Sequence, residues 1–581
     1  MEQAPLEIPR FDRTFSESGL TFSRIGSGAI GGKASGLKLI HDHILPKLDS
    51  ERFPYVTVAV PTLTVIGADL FRAFVRRNDL ERLASDDLPD DRVAHAFQQA
   101  ELPAEMVGDL RAVIAHFDTP LAVRSSSLLE DALDHPFAGV YATKMIPNND
   151  IEEDARFRSL VEAIKFVYAS TYFSAAKDYF RAIGRDPLDE AMAVIIQEVM
   201  GSTSGQRFYP AVSGVGRSYN FYPTGGARAT EGVIYLALGL GKTIVDGGLS
   251  WGFSPAAPTA PPPFNDVGDL LKNTQRVFWA VNMGDPPLPD PIRETEYLVE
   301  AGLKDAESDG VLKHLASTYD SASDRLYPGI SGGGARALTF APLLTSRWLP
   351  FADLFSALLD SSKEFMGSDV EIEFAMTIDP SDLLPARVGF LQVRPMKVGG
   401  EGARVEEEDL DGDDVVVAST RVLGHAQLDD VCDVVYVRPD GFDPRNTLRM
   451  AKEIENINRH LVDEGRPYVL IGFGRWGTSD ERLGVPVAWG QISGARVIVE
   501  ATTPEVDPDL SQGSHFFHNV LSFQVLCLAV EHHSHSTIDW NWLDAQPAET
   551  ETDSIRHIRI NDPLGIRVDG SSGRGVITRH G

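Results

Sequence analysis

The chain has 581 residues, which is too long for a single hydrophobic core, so two to four domains are expected. Its hydrophobic content of 43% is that of an ordinary globular protein and excludes a chain dominated by disorder. The formal net charge of -31 repels phosphate backbones and anionic lipid surfaces, so we expect neither a nucleic-acid partner nor a membrane partner.

Cysteine usage and the N-terminal sequence both favour a cytoplasmic protein. The two cysteines, Cys432 and Cys527, are too few for a disulfide framework or a thiolate zinc site. The first residues contain no basic segment leading into an apolar run. No stretch approaches the roughly 18 uncharged apolar residues of a membrane span.

A glycine-rich loop precedes a helix near the N-terminus. Residues 25–36 read IGSGAIGGKASG, and Leu37, Ile40 and Ile44 then recur at helical spacing. Glycines let the backbone approach a ligand closely, and the N-terminus of a helix favours an anion. Lys33 is therefore a candidate phosphate ligand, although the loop is not a Walker A sequence.

The most informative stretch is residues 121–141, LAVRSSSLLEDALDHPFAGVY. Strands predicted within 55–65 and helices predicted at 69–77 and 91–100 come before it. Arg124 can donate two hydrogen bonds to phosphate oxygens, the serine hydroxyls can donate more, and Gly139 permits close backbone approach. An apolar strand that ends in this polar run indicates a polyphosphate site.

The middle of the chain predicts mainly regular structure. Residues 152–179 predict helix, and 190–200 predict a buried strand. The segment GLGKT at 239–243 is not a P-loop, because Leu236 stands where that pattern needs glycine. The proline-rich run at 254–266 predicts a surface loop or hinge.

Two carboxylates mark a second candidate site. After an amphipathic helix at 351–366, the segment SDVEIEFAM alternates as a strand, so Glu371 and Glu373 project on one face. They repel each other unless a cation lies between them, and Mg²⁺ bound to ATP phosphates is the natural candidate. A following strand at 388–394 predicts a hairpin that points Gln392 and Arg394 at the same place.

The last third of the chain predicts a separate domain. The charged run at 401–414 predicts a linker, and the strands and helices of 415–581 predict a smaller α/β domain. Residues 472–477 match the G-x-G-x-x-G dinucleotide pattern, but the glycine and proline that follow within ten residues argue against the required helix. We expect instead a glycine turn that exposes Arg475 and Trp476.

Five histidines lie close together in the sequence: His515, His518, His532, His533 and His535. His515 and His518 are one helical turn apart and could chelate a metal, but no nearby carboxylate or thiolate completes a ligand set. Gly513, Ser514 and His515 also resemble the T-S-H of phosphohistidine domains, and this resemblance implies that His515, at the start of a helix, is a candidate phosphoryl carrier. The bulky Phe516 and Phe517 argue against that role and for a packed core histidine.

Four blocks in order resemble one family, the phosphoenolpyruvate synthases and pyruvate phosphate dikinases. They are the glycine-lysine block at 31–37, VRSSSLLEDALDHPFAG at 123–139, ALGLGKTIVDGG at 237–248, and the glutamate and Q-x-R-P blocks within 370–395. The resemblance covers the nucleotide-binding half of that family and is far weaker after Pro395. It implies a two-lobed, ATP-grasp-like α/β domain with ATP and Mg²⁺ as cofactors.

The resemblance also implies roles for individual residues. Lys33 and Arg124 would bind phosphates, and Arg394 would support the phosphate side. The backbone at Val199 and Met200 would pair with adenine. Glu371, Glu373 and Gln392 would hold magnesium. One position departs from the family, because Lys242 stands where its members have a glutamate near the ribose; Asp246 or Glu231 is a candidate for a shifted ribose contact.

Two hypotheses follow from these observations. In the first, the protein is a Mg·ATP-dependent phosphotransferase with an unidentified acceptor, acting alone or with a separate phosphotransfer partner. The roughly 185 residues after Pro395 cannot hold the C-terminal barrel that pyruvate chemistry needs in the family. In the second, the protein is an ATP-binding sensor or scaffold that has lost catalysis, and Lys242 is the best sequence argument for it.

Overall fold

The computed structural model describes most of the chain. The described residues are 7–13, 20–86, 88–128, 130, 139–221, 227–260, 267–272, 274–379, 385–396, 404–478, 480, 482–504, 506, 525–570 and 572–579. Within them, no helix is long and apolar enough to cross a bilayer.

The chain divides into two compact units. Unit 1 consists of Met1–Ser218, Thr230–Ile244 and Leu249–Pro395, and unit 2 consists of Tyr219–Ala229, Val245–Gly248 and Met396–Gly581. Unit 2 therefore contains two short segments that come from the N-terminal half of the sequence.

The described helices of unit 1 are α1 to α11. Their bounds are α1 Gly31–Leu39, α2 Ala68–Arg77, α3 Asp90–Gln99, α4 Ala104–His116, α5 Glu153–Ala169, α6 Ser174–Ala182, α7 Lys242–Val245, α8 Val267–Lys272, α9 Leu303–Ser308, α10 Ala341–Leu344 and α11 Phe351–Met366. The helix predicted at 351–366 is confirmed at both ends, because leucines and phenylalanines bury one face and Gly367 closes it in a left-handed conformation.

The strands of unit 1 are β1 to β18. Their bounds are β1 Phe22–Ile25, β2 Val56–Ala59, β3 Leu63–Ile66, β4 Leu121–Ser127, β5 Thr143–Ile146, β6 Met192–Glu198, β7 Ser202–Ser204, β8 Arg207–Tyr209, β9 Val212–Arg217, β10 Val233–Ala237, β11 Trp251–Phe253, β12 Val277–Asn282, β13 Leu298–Gly302, β14 Ala316–Asp320, β15 Arg325–Pro328, β16 Arg336–Leu338, β17 Asp369–Ile378 and β18 Ala386–Met396.

Two sheets of unit 1 carry the predicted site. A five-stranded sheet has the order β1-β3-β6-β4-β5, and a six-stranded sheet has the order β11-β10-β9-β17-β18-β2. The predicted pairing of the two strands that carry the glutamates and the Q-x-R-P block is confirmed, because β17 and β18 are neighbours. Smaller sheets have the orders β13-β12-β8-β7 and β15-β14-β16.

Unit 2 is built on one large mixed sheet. Its strands are β19 Val415–Ser419, β20 Arg421–Leu423, β21 Ala426–Val437, β22 Tyr468–Phe473, β23 Arg475–Trp476, β24 Gly484–Val485, β25 Ala495–Ala501, β26 Leu526–Val530, β27 Thr537–Ile538, β28 Ala548–Glu551, β29 Ile555–Asp569 and β30 Arg574–Thr578. Its described helices are α12 Thr447–Asp463 and α13 Trp540–Ala545. The sheet order is β20-β26-β25-β22-β21-β29-β30-β19-β27, and β28 pairs with β29.

The centre of that sheet is parallel. Neighbouring pairs in the series β21, β22, β25 and β26 run parallel, and α12 connects the first two strands. Burial on both faces explains the continuous runs of valine, isoleucine and leucine in these strands. The other strands of this sheet pair antiparallel, so the predicted α/β class is confirmed and the sheet is mixed. Strands β23 and β24 form a separate two-stranded parallel sheet.

The predicted linker at 401–414 lies partly outside the described residues, at 401–403. Residues 404–414 belong to unit 2, where Asp409 receives hydrogen bonds from Arg567 at 3.0 and 3.3 Å. Val405 is buried against Ala418 and Val576. These contacts attach the segment to the large sheet.

Candidate functional site

Arg124 connects the two large sheets of unit 1. Its guanidinium donates to the carbonyl oxygen of Leu391 and to Oε1 of Gln392, each at 3.0 Å, and both acceptors lie on β18. A longer hydrogen bond of 3.3 Å reaches Oε1 of Gln197 on β6, and Oε2 of Glu373 lies 3.8 Å away. Because the side chain is only 12% exposed, these partners fix its orientation.

Two glutamates of β17 belong to a buried chain of alternating charge. Arg217 lies opposite Glu371 in the antiparallel register of β9 and β17, and its Nε donates to Glu371 Oε2 at 2.7 Å. Arg394 donates to Glu371 Oε1 through Nε at 3.0 Å and Nη2 at 2.5 Å. The same Nη2 lies 3.4 Å from Oε1 of Glu373. Two guanidinium groups therefore stabilise a carboxylate that is 1% exposed.

The cation that contacts both glutamates in this structure is Arg394. Strand alternation places Glu371 and Glu373 on one face, and a guanidinium lies where the sequence predicted a positive charge. Both oxygens of Glu371 accept hydrogen bonds from arginines. Glu373, which is 14% exposed, and the Oε1 atom of Gln392 are oxygen ligands of the kind that Mg²⁺ accepts, so this part of the site fits a magnesium ion.

Lys33 contacts the end of strand β4. Its Nζ lies 2.7 Å from Glu130 Oε1 and 3.2 Å from Ser125 Oγ. Glu130 also accepts a hydrogen bond from Ser125 Oγ at 2.8 Å and from the Ser127 N–H at 2.8 Å. Glu130 is thus a partner of Lys33 to which the local sequence assigned no role.

The first turn of α1 packs directly on the polypeptide after β4. Gly31 has a φ of +77°, and a Cβ at that position would lie 1.7 Å from the Ser126 carbonyl oxygen. A Cβ at Gly32 would lie 1.8 Å from the Glu130 carbonyl oxygen. The glycines are therefore required by close backbone approach, which is what brings Lys33 to Glu130.

The glycine-rich loop before α1 lines a cavity. The cavity has a volume of about 410 Å³ and is lined by Arg24, residues 28–32, Ser35 and Leu128. Asp69 fixes the loop by accepting hydrogen bonds from Ser27 N at 2.9 Å and Ser27 Oγ at 3.0 Å. Burial raises the pKa of Asp69, but hydrogen bonds from Ser27 and Gly28 outweigh it and hold that pKa below its usual value.

Val199 and Met200 follow strand β6, as the sequence predicted. The Val199 N–H donates to the Pro120 carbonyl oxygen at 2.9 Å, and its side chain packs against Phe208 and Leu240. The Val199 N–H is therefore used within the protein.

Some of the remaining predicted residues lie in the described part of the chain, and others lie outside it. Lys242 begins the short helix α7, where the family has a glutamate. His515 and His518 lie outside the described residues, so their proposed metal and phosphoryl-carrier roles stay predictions. His532 is exposed, and its Nδ1 lies 2.9 Å from Thr502 Oγ1.

The glycine pattern at 472–477 forms a turn and not a dinucleotide site, but the expected exposure of Arg475 and Trp476 is wrong, because both side chains are buried on a short strand. Strand β22 ends at Phe473, the short strand β23 follows at Arg475–Trp476, and no α-helix begins at Gly477 among the described residues up to Ile492. A Cβ at Gly474 would lie 2.3 Å from the Leu483 carbonyl oxygen, so the glycine is needed for chain packing. Nothing here indicates a dinucleotide site.

Besides Glu130, sequence reasoning missed two polar partners of the site, Arg217 and Gln197. Arg217 ends strand β9 and is 154 residues from its partner Glu371 in the sequence. Gln197 interrupts the apolar run MAVIIQE of β6. The glutamine within this apolar run was the signal in the sequence for such a partner, because a buried polar group needs a hydrogen-bond partner.

Part of the chain matches a known protein family. Residues 27–258 match the family model described as pyruvate phosphate dikinase, AMP/ATP-binding domain. The matched region contains Lys33, Arg124 and Lys242 and ends before Glu371. No curated protein matches the chain.

Proposed function

We propose, from the premise that residues 27–258 belong to the pyruvate phosphate dikinase AMP/ATP-binding domain family, that this protein binds Mg·ATP in unit 1 and transfers a phosphoryl group. That domain is an ATP-grasp-like α/β fold. One observation carries the proposal: Arg124 is held between two sheets by Gln392 and the Leu391 carbonyl, with Glu373 beside it.

The basic side chains of unit 1 bind and neutralise the polyphosphate. Arg124 and Lys33 are each charged, mostly buried and placed at the polar end of β4 or on the helix packed against it. Arg394 supports the phosphate side through its contact with Glu373. Phosphoryl transfer depends mainly on positioning and charge neutralisation, so these groups suit it without a protein nucleophile.

Glu373 and Gln392 would hold Mg²⁺, which would neutralise charge on the phosphates when bound. Glu371, the third ligand predicted from the sequence, would join them if Arg394 moved aside. In the described arrangement Glu371 instead orients Arg394 through two hydrogen bonds. Val199 and Met200 would pair with adenine through the backbone.

The acceptor and the role of the C-terminal part belong to the same proposal. We propose residues 1–400 as the nucleotide-binding region and 415–581 as a cytoplasmic α/β domain that serves the acceptor or a separate phosphotransfer partner. The free thiols Cys432 and Cys527 agree with a reducing compartment.

Transfer of label from ATP labelled in the γ- or the β-phosphate tests the proposal. We expect Mg²⁺-dependent loss of ATP, with the label appearing on the protein, on water or on an added small molecule. Candidate acceptors are supplied one at a time, and EDTA provides the metal-free control. If ATP binds but no label moves under any condition, phosphotransfer is wrong.

A second function, ATP sensing without turnover, is favoured by two observations. Lys242 reverses the charge that the family carries near the ribose, and both oxygens of Glu371 are engaged by arginines. Binding of ATP with a measurable change in protease sensitivity, and no consumption of ATP, would support it.

A further inference from the structure

Glu130 is a buried carboxylate at the junction of strand β4 and helix α1. Its side chain is 2% exposed, and each oxygen accepts hydrogen bonds from a different direction. Oε1 faces the Lys33 ammonium and the Ser125 hydroxyl, whereas Oε2 accepts from the Ser127 N–H. Both oxygens of a carboxylate can accept hydrogen bonds, whereas the amide of a glutamine has only one accepting oxygen.

The Lys33 ammonium is held at two points. It donates to Glu130 Oε1 at 2.7 Å and to Ser125 Oγ at 3.2 Å, and the Ser125 hydroxyl donates a hydrogen bond to Glu130 Oε1 at 2.8 Å. An ammonium has three donors, so these two contacts fix the direction of the third. Without them, the flexible four-carbon side chain would sample many rotamers.

The backbone around Glu130 is fixed as well. The Glu130 carbonyl lies so close to Gly32 that any side chain there would clash, and the Glu130 N–H donates to Ser127 Oγ at 3.2 Å. A rigid carboxylate therefore holds a flexible lysine. A second buried carboxylate, Glu190, accepts from Leu128 N and Tyr141 Oη and has no contact with Lys33 among the described interactions.

We propose that Glu130 is a positioning residue that fixes Lys33 for its contact with the transferred phosphate. The inference rests on the proposed function, because it assigns Lys33 to the polyphosphate. Glu130 does not touch the nucleotide; it acts through Lys33, so its effect must disappear when Lys33 is absent.

The test is a double-mutant cycle in the full chain. It uses wild type, Glu130→Gln, Lys33→Ala, the double variant, and Glu190→Gln as the matched buried-carboxylate control. The Kd for Mg·ATP is measured by calorimetry, and kcat is measured as the Mg²⁺-dependent consumption of γ-labelled ATP. Thermal unfolding of each variant checks folding, and Glu130→Asp, which keeps the charge but is shorter, replaces Glu130→Gln if that variant does not fold.

We expect Glu130→Gln to lower kcat at least ten-fold while the Kd for Mg·ATP changes less than three-fold. Removing the negative charge of Glu130 favours phosphate binding, and in the ground state this gain offsets the less fixed position of Lys33. In the transition state the gain does not offset it, so kcat falls while the Kd changes little. In the Lys33→Ala background, the same substitution should change kcat less than two-fold. Glu190→Gln should leave kcat within two-fold of wild type.

Each other outcome overturns the inference. Equal losses with and without Lys33 would mean that Glu130 acts through the fold, and tighter ATP binding at unchanged kcat would mean that it competes with phosphate for Lys33. If wild-type protein turns ATP over and Glu130→Gln does so equally well, the inference alone fails. If wild-type protein neither binds nor consumes Mg·ATP, the proposed function fails and the inference with it.

Discussion

At the scale of single residues, the proposed nucleotide site depends most on Arg124. Charge-assisted hydrogen bonds are worth about 1.5–3 kcal/mol, so we expect Arg124→Ala to raise the Kd for Mg·ATP at least ten-fold. Arg111→Ala is the control, because Arg111 makes an ion pair with Asp154 on an exposed surface. Calorimetric titration of both variants measures the effect, and undiminished binding by Arg124→Ala would end the assignment.

The two glutamates of β17 should respond differently to the same substitution. Glu373→Gln should abolish the Mg²⁺-dependent part of ATP binding while leaving the fold intact, because Glu373 is partly exposed. Glu371→Gln should instead lower the free energy of unfolding by about 3 kcal/mol, since it removes the charge of a buried carboxylate that two buried arginines contact. Binding with and without EDTA, together with denaturant unfolding, separates the two effects; a reversed pattern would make Glu371 the principal metal ligand.

At the scale of elements, helix α1 is placed by close backbone contact. Gly31 has a φ of +77°, and a Cβ on this residue would lie 1.7 Å from the Ser126 carbonyl oxygen. Gly310 has a similar φ of +78°, but a Cβ there would have no atom within 4 Å. Gly31→Ala should therefore destabilise the protein much more than Gly310→Ala and should also weaken ATP binding, because it moves the helix that carries Lys33. Thermal unfolding and nucleotide titration of the two variants measure these losses. If both variants lose the same stability, the loss comes from backbone strain alone and not from the contact of α1 with β4.

A buried charge cluster connects three strands of unit 2. Asp433 on β21 accepts from His557 on β29 at 2.8 Å and from Arg466, which precedes β22. Burial raises the pKa of Asp433, but hydrogen bonds from His557 and Arg466 outweigh it and hold that pKa below 3.8. The stability that this adds is present above pH 3.8 and is lost as pH falls through the lowered folded-state value.

Asp433→Asn should accordingly destabilise unit 2 by about 3 kcal/mol at pH 7, and the difference from wild type should shrink as pH falls below 3.8. Denaturant unfolding at several pH values between 7 and 3 measures the difference. A constant difference across that range would mean that the variant acts through packing and not through charge.

At the scale of the whole molecule, the net charge of -31 opposes the compact state. Salt screens this repulsion over about 10 Å at 0.1 M, so we expect the melting temperature to rise when NaCl is increased from 0.02 to 0.2 M. Sucrose at matched osmolality is the control, because it does not screen charge. A fall in melting temperature would show that favourable ion pairs outweigh the net repulsion.

The sequence by itself determined the local features. Period-two alternation is a property of neighbouring residues, so it placed Glu371 and Glu373 on one face, and apolar runs located β4, β6, β17 and α11 within a few residues. The helix α4 and the strand β9 were missed, because short or mixed patterns carry little periodic signal.

Only the tertiary structure decided which charges meet. Arg217 lies opposite Glu371 because β9 and β17 are adjacent in the sheet, an order that brings together residues 154 positions apart. In the same way, Lys33 reaches Glu130 across 97 positions because two glycines let α1 press against β4. Sheet order and close packing depend on burial of the whole core, so no local pattern at Glu371 or Lys33 could specify their partners.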